Sequence, residues 1–241
     1  MRKEPYSITV LQIKTKSSYE ENLDLLIKYI KEHQSQDLII APEVCLTGFD
    51  YENFSKAGDF FDIVMDAVLP LITTQILVLT LIKKEHENMV NQAVVIHDNQ
   101  VVYSQNKYKL FIIGDETKYF FAGEQSDIAP FTINGIKYAL LICFELRFKE
   151  LWRQIEGVDI VLVPAMWGKT RKRHIEVLTQ ALAIMNQSFV VLADSANDDM
   201  AKSSSIISPW GDVVIDDEAE VINHTIDLKE VKKVRRMISM R

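Results

Sequence analysis

Residues 139–148 read Ala139-Leu140-Leu141-Ile142-Cys143-Phe144-Glu145-Leu146-Arg147-Phe148. Four apolar residues in a row make a short strand buried on both faces, and that strand ends on a thiol. A hairpin over 131–137 leads into it, turned by Asn134-Gly135, a pair that favours the positive φ angles of a tight β-turn. Two other apolar runs end on chemically useful side chains. Leu38-Ile39-Ile40-Ala41 passes through Pro42 into Glu43, and Ile160-Val161-Leu162-Val163 passes through Pro164 to Met166-Trp167. Ligands gather at the carboxyl ends of strands in α/β sheets, where the following loops open a crevice. Parallel neighbouring strands would bring this carboxylate, thiol and indole to one rim.

Outward from these strands, the chain alternates. A strand is expected at 8–13, then a Ser18/Glu21 capping box. Tyr19, Leu23, Leu26, Ile27 and Ile30 recur at helical spacing. A second helix falls at 58–69 and a buried strand at 76–82. Ala93-Val94-Val95-Ile96 and Val101-Val102-Tyr103 flank the turn residues 97–100 as a hairpin. Further helices are expected at 148–156, around Ile175, Leu178, Leu182 and Met185, and at the basic end, 228–241. A strand over 189–193 and a turn at Pro209-Trp210-Gly211 complete the pattern. Strands alternating with helices at both ends, with hairpins between, give an α/β fold: a mixed sheet or a pair of sheets covered by helices.

The bulk properties narrow the function classes. A chain of 241 residues suits a single domain over 1–241, and 48% hydrophobic residues suffice for a large core. The net charge of −7 argues against nucleic-acid binding through phosphate neutralisation. Met1-Arg2-Lys3-Glu4-Pro5 lacks the apolar stretch of a secretory signal. No apolar run approaches the roughly 20 residues that cross a bilayer. Two cysteines and five scattered histidines form no zinc pattern. The expectation is a soluble cytoplasmic protein with reduced thiols, no membrane partner and no metal.

Each candidate residue has a plain structural reading beside a chemical one. Cys143 is either a small buried hydrophobe or a nucleophile, which requires an activating base. None of the histidines has a context suited to that task; His174 lies among Arg171, Lys172 and Arg173. A carboxylate base is therefore indicated, and Glu43, directly after a buried strand, is the best placed. Lys107 and Lys109 read alike as solvated turn residues or as site cations. Gly114-Asp115-Glu116 reads as a turn.

Three motifs together resemble the nitrilase, or carbon–nitrogen hydrolase, superfamily, with short omega-amidase-like members the nearest pattern. Ala41-Pro42-Glu43-Val44-Cys45-Leu46-Thr47-Gly48-Phe49 is similar to that family's Pro-Glu segment and its Thr-Gly-aromatic tail. Lys107-Tyr108-Lys109-Leu110-Phe111 resembles Lys-x-x-Leu-Phe. Cys143-Phe144-Glu145-Leu146-Arg147-Phe148 is close to Cys-Tyr-Asp-Leu-Arg-Phe, and Ile206-Ile207-Ser208-Pro209-Trp210-Gly211 resembles a family strand and turn. The likeness extends over about residues 7–226.

The resemblance implies an αββα sandwich of two mixed sheets that pairs into a homodimer. It implies a hydrolase that cleaves a non-peptide C–N bond of a small linear amide through a Cys143 thioester and releases ammonia. Glu43 would be general base and acid, while Lys107 and the Phe144 backbone N–H would hold the oxyanion. Glu116 would orient Lys107 or the substrate, and Trp167, Met166 and Arg147 are the candidate substrate contacts. Arg171 and Arg173 join Arg147 as candidates for a substrate carboxylate. No cofactor is implied. A carbamoyl-amine hydrolase with the same triad and a noncatalytic binding module on the same fold are the alternatives. Two departures stand out. Leu182 and Met185 take the places of an Arg and a Glu usual in the family's helix, an expected exchange of a buried ion pair for apolar packing. Met166-Trp167 stands where omega-amidase-like members tend to have Asn-Trp.

Overall fold

The computed structural model describes residues 5–240; the outermost residues of the 1–241 span, 1–4 and 241, lie outside it. In chain order the elements are β1 (Tyr6–Leu11), α1 (Tyr19–Glu32), β2 (Leu38–Ile40), α2 (Phe54–Val68), β3 (Ile76–Glu85), β4 (Asn88–His97), β5 (Gln100–Asn106) and α3 (Glu116–Tyr119). There follow β6 (Phe131–Ile133), β7 (Ile136–Leu140), α4 (Lys149–Gln154), β8 (Ile160–Ala165), α5 (Lys172–Asn186), β9 (Phe189–Asp194), β10 (Ser205–Ile207), β11 (Val213–Ile215), β12 (Val221–Ile226) and α6 (Lys229–Met237).

The strands form two six-stranded mixed sheets, ordered β12-β1-β2-β3-β4-β5 and β11-β10-β9-β8-β7-β6. Each has three parallel strands at its centre and antiparallel strands outside them. Alternation explains the layering. Ile8, Val10, Leu38, Ile40 and Val78 pack across the sandwich on Tyr138, Leu140 and Leu162 of the other sheet. Leu11, Ile39, Leu77 and Leu79 face the opposite way, onto Leu23, Leu26 and Ile30 of α1 and Phe60, Val64 and Val68 of α2. Central strands covered on both faces have no polar side to present, hence their unbroken apolar sequences. The result is the expected αββα arrangement of two sheets flanked by helices.

Local signals account for most boundaries. The Ser18 hydroxyl accepts the Glu21 N–H at 3.2 Å, capping α1. Asn134 and Gly135 have φ of 51° and 77° between β6 and β7, the conformation a two-residue hairpin requires. Several limits differ from expectation. α2 begins at Phe54 rather than 58, and β3 extends to Glu85 because its outer half pairs with β4 beyond the buried region. Pro164 does not stop β8; it lies within the strand. The basic terminal helix is shorter than expected, ending at Met237.

One expectation about the rim is corrected. β7 and β8 are parallel neighbours, but β2 belongs to the other sheet. Glu43 and Cys143 therefore come from opposite sheets of the sandwich. The two sheets are tied at that point by Glu43 N–H donating to the Ala165 carbonyl, 3.2 Å away. The next residue, Val44, has φ of 40°, strained for a β-branched side chain. Its N–H donates to Thr80 Oγ1 at 2.7 Å in a fully buried setting. Thr80→Val keeps the shape but leaves that N–H without an acceptor. It should lower unfolding stability by about 1–3 kcal/mol, measured by urea denaturation; unchanged stability would show that the bond does not hold the turn.

Candidate active site

Lys107 follows the end of β5, where its backbone N–H donates to the Asn91 carbonyl of β4 at 2.8 Å. Its side chain is fully buried. Nζ donates to Glu43 Oε1 and to Glu116 Oε1, both at 2.7 Å. Burial opposes the Lys107 charge, but the two carboxylates outweigh it and raise the pKa above the ordinary lysine value. Burial raises the pKa of Glu116, opposed by Lys107. The other Glu116 oxygen accepts the Phe111 N–H at 3.0 Å. Lys109, which sequence alone could not separate from Lys107, points elsewhere. It pairs with Glu150 at 3.6 Å and lies over the rings of Tyr108 and Phe148.

Glu43 is asymmetric. Oε1 accepts from both Lys107 Nζ and Asn91 Nδ2, the latter at 2.8 Å. Oε2 is buried and has no hydrogen-bond partner among the described residues. Such an oxygen is costly to bury, and it belongs to the carboxylate that acts most strongly on the Cys143 thiol. Cys143 opens a 3₁₀ turn, Cys143–Arg147, with φ of 48°. That strained angle resembles the sharp strand-to-helix elbow that presents a nucleophile above a sheet. Burial, then Glu43, pushes the thiol well above its usual pKa; Lys107 and the Met166 backbone N–H work the other way. On balance the surroundings favour the protonated thiol. Phe144 is in the first turn of this short helix, whose leading N–H groups have no carbonyl of their own turn to bind.

A small pocket of about 20 Å³ opens over Cys143, lined by Phe111, Phe144, Arg147, Met166, Trp167 and Arg171. Arg147 lies over the Trp167 ring at 4.8 Å and Arg171 over Phe111 at 5.1 Å. Neither forms an ion pair among the described residues. Burial and the nearby Arg171 lower the pKa of Arg147. Arg173 does not line the pocket; it is largely exposed and lies 3.9 Å from Glu176. A larger cavity, about 300 Å³, opens at the other ends of the strands beside Tyr6, Asp37 and Ile136. Among the described residues, neither a thiol nor an ammonium group lines it.

The expected residues Glu43, Lys107, Glu116, Cys143, Phe144, Arg147, Met166 and Trp167 thus come together. Sequence reading missed Asn91, which grips Glu43 by its side chain and Lys107 by its carbonyl. The available signal was an Asn-Gln pair interrupting a strand that is otherwise apolar, since buried amides in a strand need dedicated partners. It also missed Asp194 at the end of β9. This buried carboxylate accepts the Trp167 N–H at 2.9 Å and the Ser203 N–H at 3.2 Å, and burial pushes its pKa to about 7. Cys45 is a core residue, its pKa pushed by burial to about 12. The expected apolar exchange on α5 holds only in part: Leu182 is buried, whereas Met185 is 55% exposed.

Comparison with known proteins agrees with this architecture. The chain is 28% identical over 221 residues to 2-oxoglutaramate amidase of Bacillus subtilis strain 168, covering 86% of this chain and 85% of that protein. It is 25% identical to omega-amidase YafV of Escherichia coli K12 over 185 residues, 74% of this chain and 72% of that one. Among solved structures, XC1258 of Xanthomonas campestris, a CN-hydrolase superfamily protein with an arsenic adduct in its active site, superposes with a TM-score of 0.87. That match has 21% identity and covers 98% of this chain and 96% of the other. Yeast Nit3, a member of branch 10 of the nitrilase superfamily, gives a TM-score of 0.84 at 18% identity, covering 98% and 94%. The carbon–nitrogen hydrolase family matches residues 7–236, nearly the whole chain, and the protein belongs to that family of hydrolytic enzymes.

Proposed function

We propose that this enzyme hydrolyses the terminal amide of a small linear dicarboxylate monoamide, releasing ammonia, with Cys143 as nucleophile, Glu43 as general base and acid, and Lys107 as oxyanion donor. One observation carries the assignment of roles. Glu43 has one oxygen fully engaged by Lys107 and Asn91 and the other buried without a partner, in a carboxylate whose charge raises the pKa of the Cys143 thiol. A high-pKa thiol cannot wait as thiolate, so its proton must leave as the sulfur attacks.

The steps follow. Glu43 Oε2 takes the Cys143 proton while Sγ bonds to the amide carbonyl carbon. The carbonyl oxygen becomes an oxyanion held by Lys107 Nζ and the Phe144 N–H. Glu43 then returns the proton to the amide nitrogen, the C–N bond breaks, ammonia departs and a thioester remains. Water, deprotonated by Glu43, adds to the thioester; the thiolate leaves and regains the proton. Glu116 holds Lys107 in place throughout. Met166 and Trp167 form the pocket wall. Arg147 and Arg171, cations without acidic partners, suit the distal carboxylate of the substrate. The similarity to amidases named for 2-oxoglutaramate and omega-amides supports this substrate class.

The single domain is proposed to act in the cytoplasm as a homodimer. Ile184 and Met185 of α5, together with Met237 and Ile238 at the end of α6, are exposed and offer apolar area for a second copy. No helix among the described residues is long and apolar enough to cross a membrane.

A panel of monoamides, neutral amides, carbamoyl amines and nitriles, assayed for ammonia release, tests the reaction. Monoamide turnover by wild type and none by Cys143→Ala is expected; turnover of carbamoyl amines alone would replace the substrate class, and ligand binding without any turnover would make the protein a binding module. Arg147→Met should raise KM for the monoamide roughly 10–100-fold, with kcat and neutral-amide turnover little changed, because a charge-assisted contact in ground and transition state alike is removed. Equal loss on neutral amides would remove Arg147 from carboxylate recognition. Glu43→Gln removes the carboxylate that raises the thiol pKa, so the pH midpoint for alkylation of Cys143 by iodoacetamide should fall. A midpoint that rises or stays would contradict their pairing.

A further inference from the structure

Glu145 lies outside the reaction scheme, yet it is fully buried and joins the two segments that carry nucleophile and ammonium. Its Oε2 accepts the N–H of Ile142, the residue before Cys143, at 2.7 Å. Its Oε1 accepts the N–H of Tyr108, the residue after Lys107, also at 2.7 Å. The first bond caps the 3₁₀ turn that begins at Cys143. The second spans 37 residues of sequence to the end of β5. No hydrogen bond or ion pair joins Glu145 to a side chain among the described residues. An apolar residue here would leave both N–H groups without an acceptor, so the carboxylate is what ties the two segments together.

We propose that Glu145 is a positioning residue that sets the spacing between the Cys143 turn and the Lys107 segment by accepting one backbone N–H from each. The inference rests on the roles proposed above for Cys143 and Lys107. The device works only as a carboxylate. Both oxygens face N–H donors, so a proton on either one opposes donor to donor and releases one side of the clamp. Burial pushes the Glu145 pKa to about 7, against the backbone N–H groups of Ile142 and Tyr108 and the charge of Lys107. The Tyr103 phenol feels the Glu145 charge; the backbone of Lys109 favours the carboxylate, while its ammonium is turned to Glu150. The clamp is thus fully formed above neutrality and half released below it. Stability runs the other way: a carboxyl whose folded pKa is raised contributes stability at low pH that is lost as pH rises through about 7.

The test measures kcat/KM for succinamate, the monoamide of a four-carbon dicarboxylate, from about pH 5.5 to 9. Wild type, Glu145→Gln, Glu145→Asp and Cys143→Ala are compared, with thermal melts to establish folding. Wild type should show an acid limb centred near pH 7. Glu145→Gln, which turns an amide donor toward one N–H, should lose roughly 10–100-fold at pH 8 and lose the limb. Glu145→Asp, which keeps the charge and both acceptors, should recover most of the rate and retain the limb. A folded Glu145→Gln enzyme with wild-type rate and limb overturns the inference while leaving the reaction scheme intact; an active Cys143→Ala enzyme overturns the scheme itself. If wild type ignores succinamate, the pH midpoint of Cys143 alkylation in Glu145→Gln decides; if Glu145→Gln fails to fold, the midpoint in Glu145→Asp decides. The clamp predicts a higher midpoint in the less well held variant, since Lys107 then stabilises the thiolate less, and an unmoved midpoint overturns it.

Discussion

A single ammonium group, Lys107 Nζ, sits without solvent between two carboxylates at 2.7 Å each. An isolated charge in such a place would be far too costly to keep, and even a well-made buried pair roughly breaks even against hydrophobic packing. Its value lies in what it organises. With both carboxylates attached to it, the end of β5, the loop after β2 and the short α3 converge on one point. The aromatic rings of Phe49, Tyr51, Phe54, Tyr119 and Phe120 pack in edge-on and stacked contacts on the Glu116 side. They keep water out, which strengthens every charge interaction inside.

Around that ion cluster the backbone is held in conformations it would not choose. Val44 and Cys143, one on each sheet, both have positive φ. Such residues persist only when their surroundings over-determine them. Here the surroundings are specific: Thr80 and the Ala165 carbonyl hold the Glu43–Val44 turn, while Glu145 caps the Cys143 turn. Asn91 adds a third restraint by fixing which Glu43 oxygen stays free. Hydrogen bonds to buried backbone groups therefore carry the geometry of a site whose carboxylate and thiol come from opposite halves of the sandwich.

The pocket over Cys143 is built differently. Two arginines lie over aromatic faces, a mode suited to the planar, weakly hydrated guanidinium; Arg147 also hydrogen-bonds His174 Nδ1 at 3.1 Å, and neither has an acidic partner among the described residues. The Met166–Trp167 loop is fixed by Asp194 from below. The pocket wall and the Cys143 turn are thus held by separate buried carboxylates, Asp194 at Trp167 and Glu145 at Ile142.

Sequence by itself determined much here. Apolar runs of strand length located the parallel strands, the Asn134-Gly135 and Ser18 signals set a hairpin and a helix start, and three short motifs pointed to Glu43, Lys107 and Cys143 as candidates. These are local properties, written in the periodicity of neighbouring residues. Sequence did not determine that Glu43 and Cys143 belong to different sheets, since strand partnership depends on contacts between distant segments that no local pattern encodes. Nor could it separate Lys107 from Lys109 on spacing, single out Asn91, Asp194 and Glu145, or divide Arg147 and Arg171 from Arg173. A buried polar residue is defined by the groups that fold around it, and only the tertiary structure brings those groups to it.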